Sequence, residues 1–363
     1  MSSVRMNAAR KVGALLLLLS LPLAAQIAND YPSTLSSEAM PRASRSLLLD
    51  VVHADSGWFA VGERGHVLAS VDGKQWTQVE TPTRSTLTTI TAVGDQLWAG
   101  GHDGVIIHSA DGGKTWTAQR RDPFQLAAGE NPADHDPRQG KPVMDILFTD
   151  ASNGIAIGAY SLMLVTHDGG ATWTAQQAMA ASDEPVERAA PTGDIFSEAD
   201  LQLDEESDPH LNAIASTGPN SLIIVGERGT VLRSGDGGAT WQKQAFPYKG
   251  SMFGVLSLGN GRVLAYGLRG NVYESSDGGS SWNKVPAQGS VSLMGGAALD
   301  GGGVVLTGPN GTILRRASAD APFVASAFRN AAGEMPTLAG VAPAGGGNYV
   351  LVGDKGVDLA PLK

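Results

Sequence analysis

Ser221-Leu222-Ile223-Ile224-Val225-Gly226-Glu227-Arg228-Gly229-Thr230-Val231-Leu232-Arg233-Ser234-Gly235-Asp236-Gly237-Gly238-Ala239-Thr240-Trp241 reads as two strands and two turns. The run Ser221 to Val225 is rich in β-branched residues. It enters Gly-x-x-Gly, and the run Thr230 to Ser234 leaves it, which is the pattern of a tight hairpin. A second turn follows at once, with serine, aspartate, glycine, threonine and tryptophan at fixed offsets. A short aspartate side chain can bond turn amides, glycine can take positive φ, and tryptophan can pack back over the hairpin.

Both elements recur along the chain. The first appears as Val61-Gly62-Glu63-Arg64-Gly65, Gly100-Gly101-His102-Asp103-Gly104, Ile157-Gly158-Ala159-Tyr160-Ser161, Val225-Gly226-Glu227-Arg228-Gly229, Tyr266-Gly267-Leu268-Arg269-Gly270, Thr307-Gly308-Pro309-Asn310-Gly311 and Val352-Gly353-Asp354-Lys355-Gly356. The first glycines lie 39, 57, 68, 41, 41 and 45 residues apart. A unit of about 40 residues, twice lengthened, fits the four-stranded blade of a β-propeller. The second element places Asp111 with Trp116, Asp168 with Trp173, Asp236 with Trp241 and Asp277 with Trp282. Asp72 with Trp76 is one residue shorter, and the sixth and seventh repeats lack the element. These side chains read as structural. Inner strands are expected at Leu47 to His53, Leu87 to Val93, Val143 to Phe148, Leu211 to Ser216, Met252 to Leu258, Ser292 to Leu299 and Leu338 to Pro343. The fold expected is therefore all-β, a seven-bladed propeller over residues 47–363. The last repeat ends without an outer strand, so the segment 26–46, with Ile27 to Leu35 foremost, is expected to pair with the seventh blade and hide its open edge.

Composition agrees and narrows the function. The 363 residues include 47 glycines, about 13% against a usual ~7%, as many tight turns require. Zero cysteines remove disulfides, thiolate metal sites and a cysteine nucleophile together. A net charge of -10 leaves no basic footprint for nucleic acid. At the start of the chain, Arg5, Arg10 and Lys11 precede an apolar run from Val12 to Leu23 that ends in Leu23-Ala24-Ala25. That pattern predicts a signal peptide over residues 1–25. The run is shorter than the ~20 residues that span a bilayer, so a periplasmic or lumenal product is expected.

The turn with Asp and Trp resembles the Asp-box, or bacterial neuraminidase, repeat. Its pairing with Gly-x-x-Gly-x-(Val/Ile/Leu) resembles the photosystem II stability and assembly factor family of β-propellers, from about Leu47 to Leu359. The resemblance implies a noncatalytic scaffold in the lumen or periplasm that docks a membrane protein, in that family a photosystem II reaction-centre precursor. The same repeat also occurs in sialidases, so it speaks for fold more than for activity.

In a four-stranded meander the Gly-x-x-Gly tips and the links between blades share one face. Arg64, Arg228 and Arg269 take the same tip position in repeats one, four and five, with His102, Tyr160, Asn310 and Lys355 at nearby tips. Forked guanidinium bonds there suit a carboxylate or an acidic peptide. The opposing reading is that a hairpin tip accepts any soluble residue, and Glu63 and Glu227 sit beside two of the arginines. Two insertions join that face. The first, 120–142, carries Asp122, Glu130, Asp134, His135 and Asp136, but without the oxygen spacing of a calcium loop. The second, 183–208, carries ten acids against Arg188 alone, and allows a short amphipathic helix after Thr192 or Asp194. It is either a solvated loop or an acidic arm for a basic partner or for the arginine tips.

A sialidase would need an arginine triad, a tyrosine–glutamate nucleophile pair and an acid/base carboxylate near the channel. No Arg-Ile-Pro or Arg-Leu-Pro opens an inner strand, and the inner strands supply mainly Asp50 and Asp145, which can equally accept a neighbouring amide. No nucleophile elbow, zinc helix or phosphate loop occurs. No catalytic residue, metal or cofactor is expected. The leading expectation is a monomeric binding scaffold for a membrane protein or its exported segment; the alternative is a glycoside hydrolase.

Overall fold

Each of the seven repeats folds into its own antiparallel sheet. The computed structural model describes residues 31–124, 139–178 and 208–361. Six sheets have four strands in chain order and the seventh has three. The inner strands are Leu48–Ala54, Leu87–Val93, Val143–Phe148, Leu211–Gly218, Met252–Gly259, Gly295–Leu299 and Leu338–Pro343, within a few residues of expectation. In blade 4, Leu211–Gly218 pairs with Ser221–Gly226, which pairs with Val231–Ser234, which pairs with the short outer strand Gln242–Lys243. The second strand of each blade is almost wholly buried, as Gly57–Gly62 and Ser221–Gly226 illustrate. A sheet covered on both faces selects continuous Val, Ile and Leu runs rather than alternation.

The hydrophobic core is divided among the interfaces between blades. One cluster joins Phe59 and Val61 of blade 1 to Leu97 and Ile107 of blade 2. Others join each successive pair. The cluster of Leu48, Trp58, Ala60 and Leu68 with Val350, Val352 and Val357 closes the ring between blades 1 and 7. Closure thus comes from side-chain packing, because the apolar faces of two blades cover each other.

The expected closing strand is not found among the described residues. Tyr31 to Leu47 holds only the 3-10 turns Pro32–Thr34 and Ala43–Arg45. Its front half lies against the link between blades 1 and 2: Arg84 N donates to Pro32 O, Ser37 N to Thr81 O and Arg121 Nε to Ser33 O. Met40 N and Glu38 O both bond the Gln78 side chain on the outer strand of blade 1. Ala43–Arg45 reaches blade 7, where a Cβ on Gly356 would stand 2.0 Å from Ser44 O. Pro32 and Pro41 each lack an amide proton, which disfavours a continuous ladder. Residues 26–30, the signal-peptide expectation, the Asp134-His135-Asp136 trio and the helix expected after Thr192 lie outside the described residues.

Candidate functional site

Six of the seven Gly-x-x-Gly tips, all but that of blade 7, carry the same backbone with different side chains. Arg64, Asp103, Tyr160, Arg228, Arg269 and Asn310 all have φ between 54 and 58°. This left-handed conformation lets the chain reverse in three residues, as Glu63 to Gly65 do between Gly62 and His66, whereas blade 7 turns in two, Asp354 and Lys355, between the paired Gly353 and Gly356. The tips pack on the links between blades: Gly229 N donates to Gly250 O, Ser161 N to Pro209 O, Asp122 N to Asp103 O and Gly311 N to Pro336 O. All seven tips and the roots of both insertions therefore share a face. Arg120 belongs to the outer strand Thr117–Arg120, so the first insertion begins after it.

On that face Arg64, Arg228, Arg269, His102 and Lys355 are exposed and Tyr160 is half-buried. Glu63 Oε1 accepts Leu47 N and Glu227 Oε2 accepts His210 N, so each carboxylate is engaged at the entry to its inner strand. The arginines do not form one cluster. Arg228 and Arg269 occupy adjacent blades 4 and 5, whereas Arg64 and Lys355 occupy adjacent blades 1 and 7. Arg64 Nη1 reaches Met40 Sδ at 3.7 Å, and Lys355 pairs with Glu334 at 3.6 Å. Between the two cationic arcs, Tyr160 stands under Lys141 Nζ, 5.0 Å from its ring centroid, and beside the His210 ring at 5.1 Å. Exposed apolar residues accompany the charges: Phe124 at the root of the first insertion, Met294 at the entry to the inner strand of blade 6, and Met335 before blade 7.

Just inside this face the inner strands carry a bulge, where Leu48 pairs Gly62 and Asp50 pairs Val61, with the same shift in blades 2, 3, 4, 5 and 7. The shift brings Asp50, Thr89, Asp145, Ala213 and Gly254 to one level. Asp50 Oδ2 accepts Ile90 N of blade 2 at 2.9 Å, and Asp145 Oδ2 accepts Ile214 N of blade 4 at 2.9 Å. Thr89 Oγ1 donates to Asp145 Oδ1 at 3.1 Å. The two carboxylates thus latch neighbouring blades. Burial pushes Asp50 up to about 6, against the pull of the Ile90 and Val51 amides. Burial, aided by the charge of Asp50, pushes Asp145 up to about 7. Tyr266 belongs to the same neighbourhood: burial, then the charges of Asp50 and Asp145, hold its hydroxyl well above its ordinary range. A Cβ on Gly254 would stand 2.1 Å from Tyr266 Oη, so only glycine there admits the ring. Sequence reasoning missed Tyr266 because it lies on a second strand, one residue before a tip; its signals are the glycines its ring lies against, Gly254 and, with a Cβ that would stand 2.8 Å from Tyr266 Cε1, Gly296.

The opposite face holds the turns with aspartate and tryptophan. Ser234 Oγ donates to Asp236 Oδ1 at 2.7 Å and accepts Gly238 N at 2.8 Å. Thr240 gives its amide to Oδ1 and its hydroxyl to Oδ2 of the same carboxylate, at 2.9 and 2.6 Å. Asp111, Asp168 and Asp277 repeat the arrangement, and Asp72 keeps the serine contact and takes two amides. The threonine hydroxyl and amide bring Asp236 down to about 2. Trp116 and Trp282 are buried and donate to Gly113 O and Gly279 O; Trp76 donates to Gly73 O. Trp173 bonds Gln119, and Trp241 Nε1 has no partner.

Comparisons with known proteins bear on the fold. A family model described as a DUF6242 beta propeller domain matches residues 27–135. Among solved structures, the chain is similar to YCF48 from Cyanidioschyzon merolae at 15% identity and TM-score 0.60, covering 90% of this chain and 98% of that one. It is similar to YCF48 bound to D1 peptide at 16% identity and TM-score 0.61, covering 92% and 98%. The WD40 beta propeller domain of Doa1 matches at 13% identity and TM-score 0.60, covering 92% and 97%. A search of curated proteins finds no match. The likeness to YCF48 agrees with the resemblance read from the repeats, and at this identity it establishes the propeller fold. No helix among the described residues is long and apolar enough to cross a membrane.

Proposed function

We propose that this chain is an exported, noncatalytic propeller that holds a segment of a membrane protein during assembly, acting as a monomer in the periplasm or a lumen. The observation that carries the reading is the tip face, where Arg64, Arg228 and Arg269 stand exposed on left-handed backbone. Arginine suits forked bonds to carboxylates, and exposed Phe124, Met294 and Met335 add apolar contact for a peptide. The likeness to YCF48 bound to D1 peptide supports a peptide partner. The separation of the cations into two arcs favours an extended segment that crosses the channel mouth over a single anchored side chain.

In-cell crosslinking with affinity capture tests the reading. The wild-type chain is expected to capture a membrane protein, and the Arg64→Glu, Arg228→Glu, Arg269→Glu triple variant to lose it while folding normally. Undiminished capture by that variant would overturn the arginine face. Turnover of a fluorogenic sialoside or a glycan panel, above a heat-treated control, would instead favour the glycosidase alternative.

A further inference from the structure

Blade 6 keeps the turn of the other blades but changes its chemistry. Arg316-Ala317-Ser318-Ala319-Asp320-Ala321-Pro322-Phe323 occupies the place of Ser275-Ser276-Asp277-Gly278-Gly279-Ser280-Ser281-Trp282. The register fixes the correspondence: Arg316 pairs Val304 as Ser275 pairs Val263 and Ser234 pairs Leu222. Where five blades put a hydroxyl that closes the turn on its own aspartate, blade 6 puts a guanidinium. That side chain is only 3% exposed. It cannot close the turn, and reaches across to blade 5 instead.

There Arg316 Nη1 donates to Glu274 Oε2 at 2.6 Å, while Arg262 Nε donates to Glu274 Oε1 at 2.9 Å. One carboxylate thus serves two guanidinium groups. The Nε and Nη2 of Arg316 have no hydrogen-bond partner. These two nitrogens form the side edge of the guanidinium, the edge that takes a carboxylate through two parallel bonds. The ring of Phe323 lies 5.5 Å from the guanidinium carbon. Arg316, Arg262, Glu274, Asn283, Val285 and Phe323 line a cavity of about 560 Å³, within the range of small-molecule sites.

We propose that this cavity binds a small organic monocarboxylate, with its carboxylate on the side edge of Arg316 and its carbon body against Val285 and Phe323. Two guanidinium groups against Glu274 leave one positive charge, and Asp320 stands exposed in water at the rim. That balance favours a monoanion over phosphate. Two buried N–H donors without acceptors are costly, and a carboxylate satisfies both. Both nitrogens are shut off from solvent, so binding includes a shift of the guanidinium toward the cavity it lines. The site is on the face opposite the arginine tips and is independent of the scaffold reading.

Calorimetric titration of the full chain with phenylacetate tests it, with phenylacetamide and inorganic phosphate as parallel arms. Phenylacetate is expected to bind saturably at one site, about tenfold or more weaker in Arg316→Ser, and phenylacetamide and phosphate are expected not to bind. Arg316→Lys keeps the charge but loses the forked edge, and is expected to weaken binding even if Arg316→Ser fails to fold. The Arg64→Glu, Arg228→Glu, Arg269→Glu variant is expected to bind phenylacetate like wild type. Absence of saturable phenylacetate binding, wild-type affinity in Arg316→Lys, equal binding of phenylacetamide, preferential binding of phosphate, or loss of binding in the tip-face variant would each overturn the proposal.

Discussion

The two faces of the ring repeat different things. Opposite the tips, five turns repeat side chains: a serine or threonine, an aspartate and a tryptophan tied to each other and to turn amides. On the tip face the hairpins repeat backbone, with φ near 56° at Arg64, Asp103, Arg269 and Asn310, while the side chains change sign and size. Constant side chains mark positions whose chemistry holds the fold. Constant backbone under varying side chains marks positions that the fold holds up and leaves to surface chemistry.

The largest expected effect challenges the turn face. Gly113 has φ 80°, and a Cβ there would stand 2.1 Å from Phe59 Cε1 of blade 1. Gly113→Ala must strain the backbone and push into the core between blades 1 and 2, at a cost on the order of 3 kcal/mol. Urea unfolding of the variant measures it. A cost near zero would mean that the turn face is as permissive as the tips.

A second test uses the opposite electrostatics of rim and channel carboxylates. Asp168, Asp236 and Asp277 lie near 2, below their unfolded value, so their contribution is present above about pH 4 and lost as pH falls through their folded range. Asp50 and Asp145 are raised to about 6 and about 7, so the folded chain binds their protons more tightly than the unfolded chain does. Their contribution is complete below the unfolded value near 3.8 and is lost as pH rises through 6 to 7. Stability is expected to peak near pH 4, to fall by on the order of a few kcal/mol by pH 7, and to level off above it, where both carboxylates are ionised in the folded chain as well. Denaturant unfolding at a series of pH values reads this. Asp145→Asn is expected to flatten the alkaline limb, and an unchanged limb would place its cause elsewhere.

Ser275→Ala is next. The buried hydroxyl bonds Asp277 Oδ1 and Gly279 N at 2.7 and 2.8 Å, and its removal leaves a buried amide unmet at about 1–2 kcal/mol. Thermal unfolding of Ser275→Ala beside Arg269→Ala separates the faces, the exposed arginine changing stability by about 0.5 kcal/mol or less. Equal losses in both variants would erase the distinction.

Most of the fold was legible because its signals are periodic. Ser221 to Trp241 contains a whole hairpin and its closing turn, and seven copies in phase leave little choice of architecture. What escaped depended on contacts between repeats. The N-terminal segment was expected as a strand on blade 7, yet Pro32 and Ser37 hydrogen-bond the link between blades 1 and 2, a contact with no local pattern. Arg316 was hidden because the sixth repeat had lost every letter by which the turn is recognised; only pairing with Val304 restores the alignment. The tip arginines were legible as sharing a face, but their division into two arcs follows from blade order around a closed ring. Tyr266 comes within the field of the channel acids because Gly254 and Gly296 make room for its ring.

The smallest expected effect carries the most direct information about the tips. Arg269 is exposed with φ 57°, a conformation that costs a residue with a Cβ roughly 1 kcal/mol relative to glycine. The same bend could be made by glycine with less strain, so Arg269→Gly is expected to leave the folded chain unchanged or more stable by up to about 0.5–1 kcal/mol, part of the gain being offset by greater freedom of the unfolded chain. Paired unfolding curves resolve a shift of that size. If stability rises or holds while capture of the membrane partner weakens, arginine at that bend serves recognition at the expense of the fold. A clear loss of stability would instead make the side chain part of the framework, and the contrast between the two faces would no longer separate binding from support.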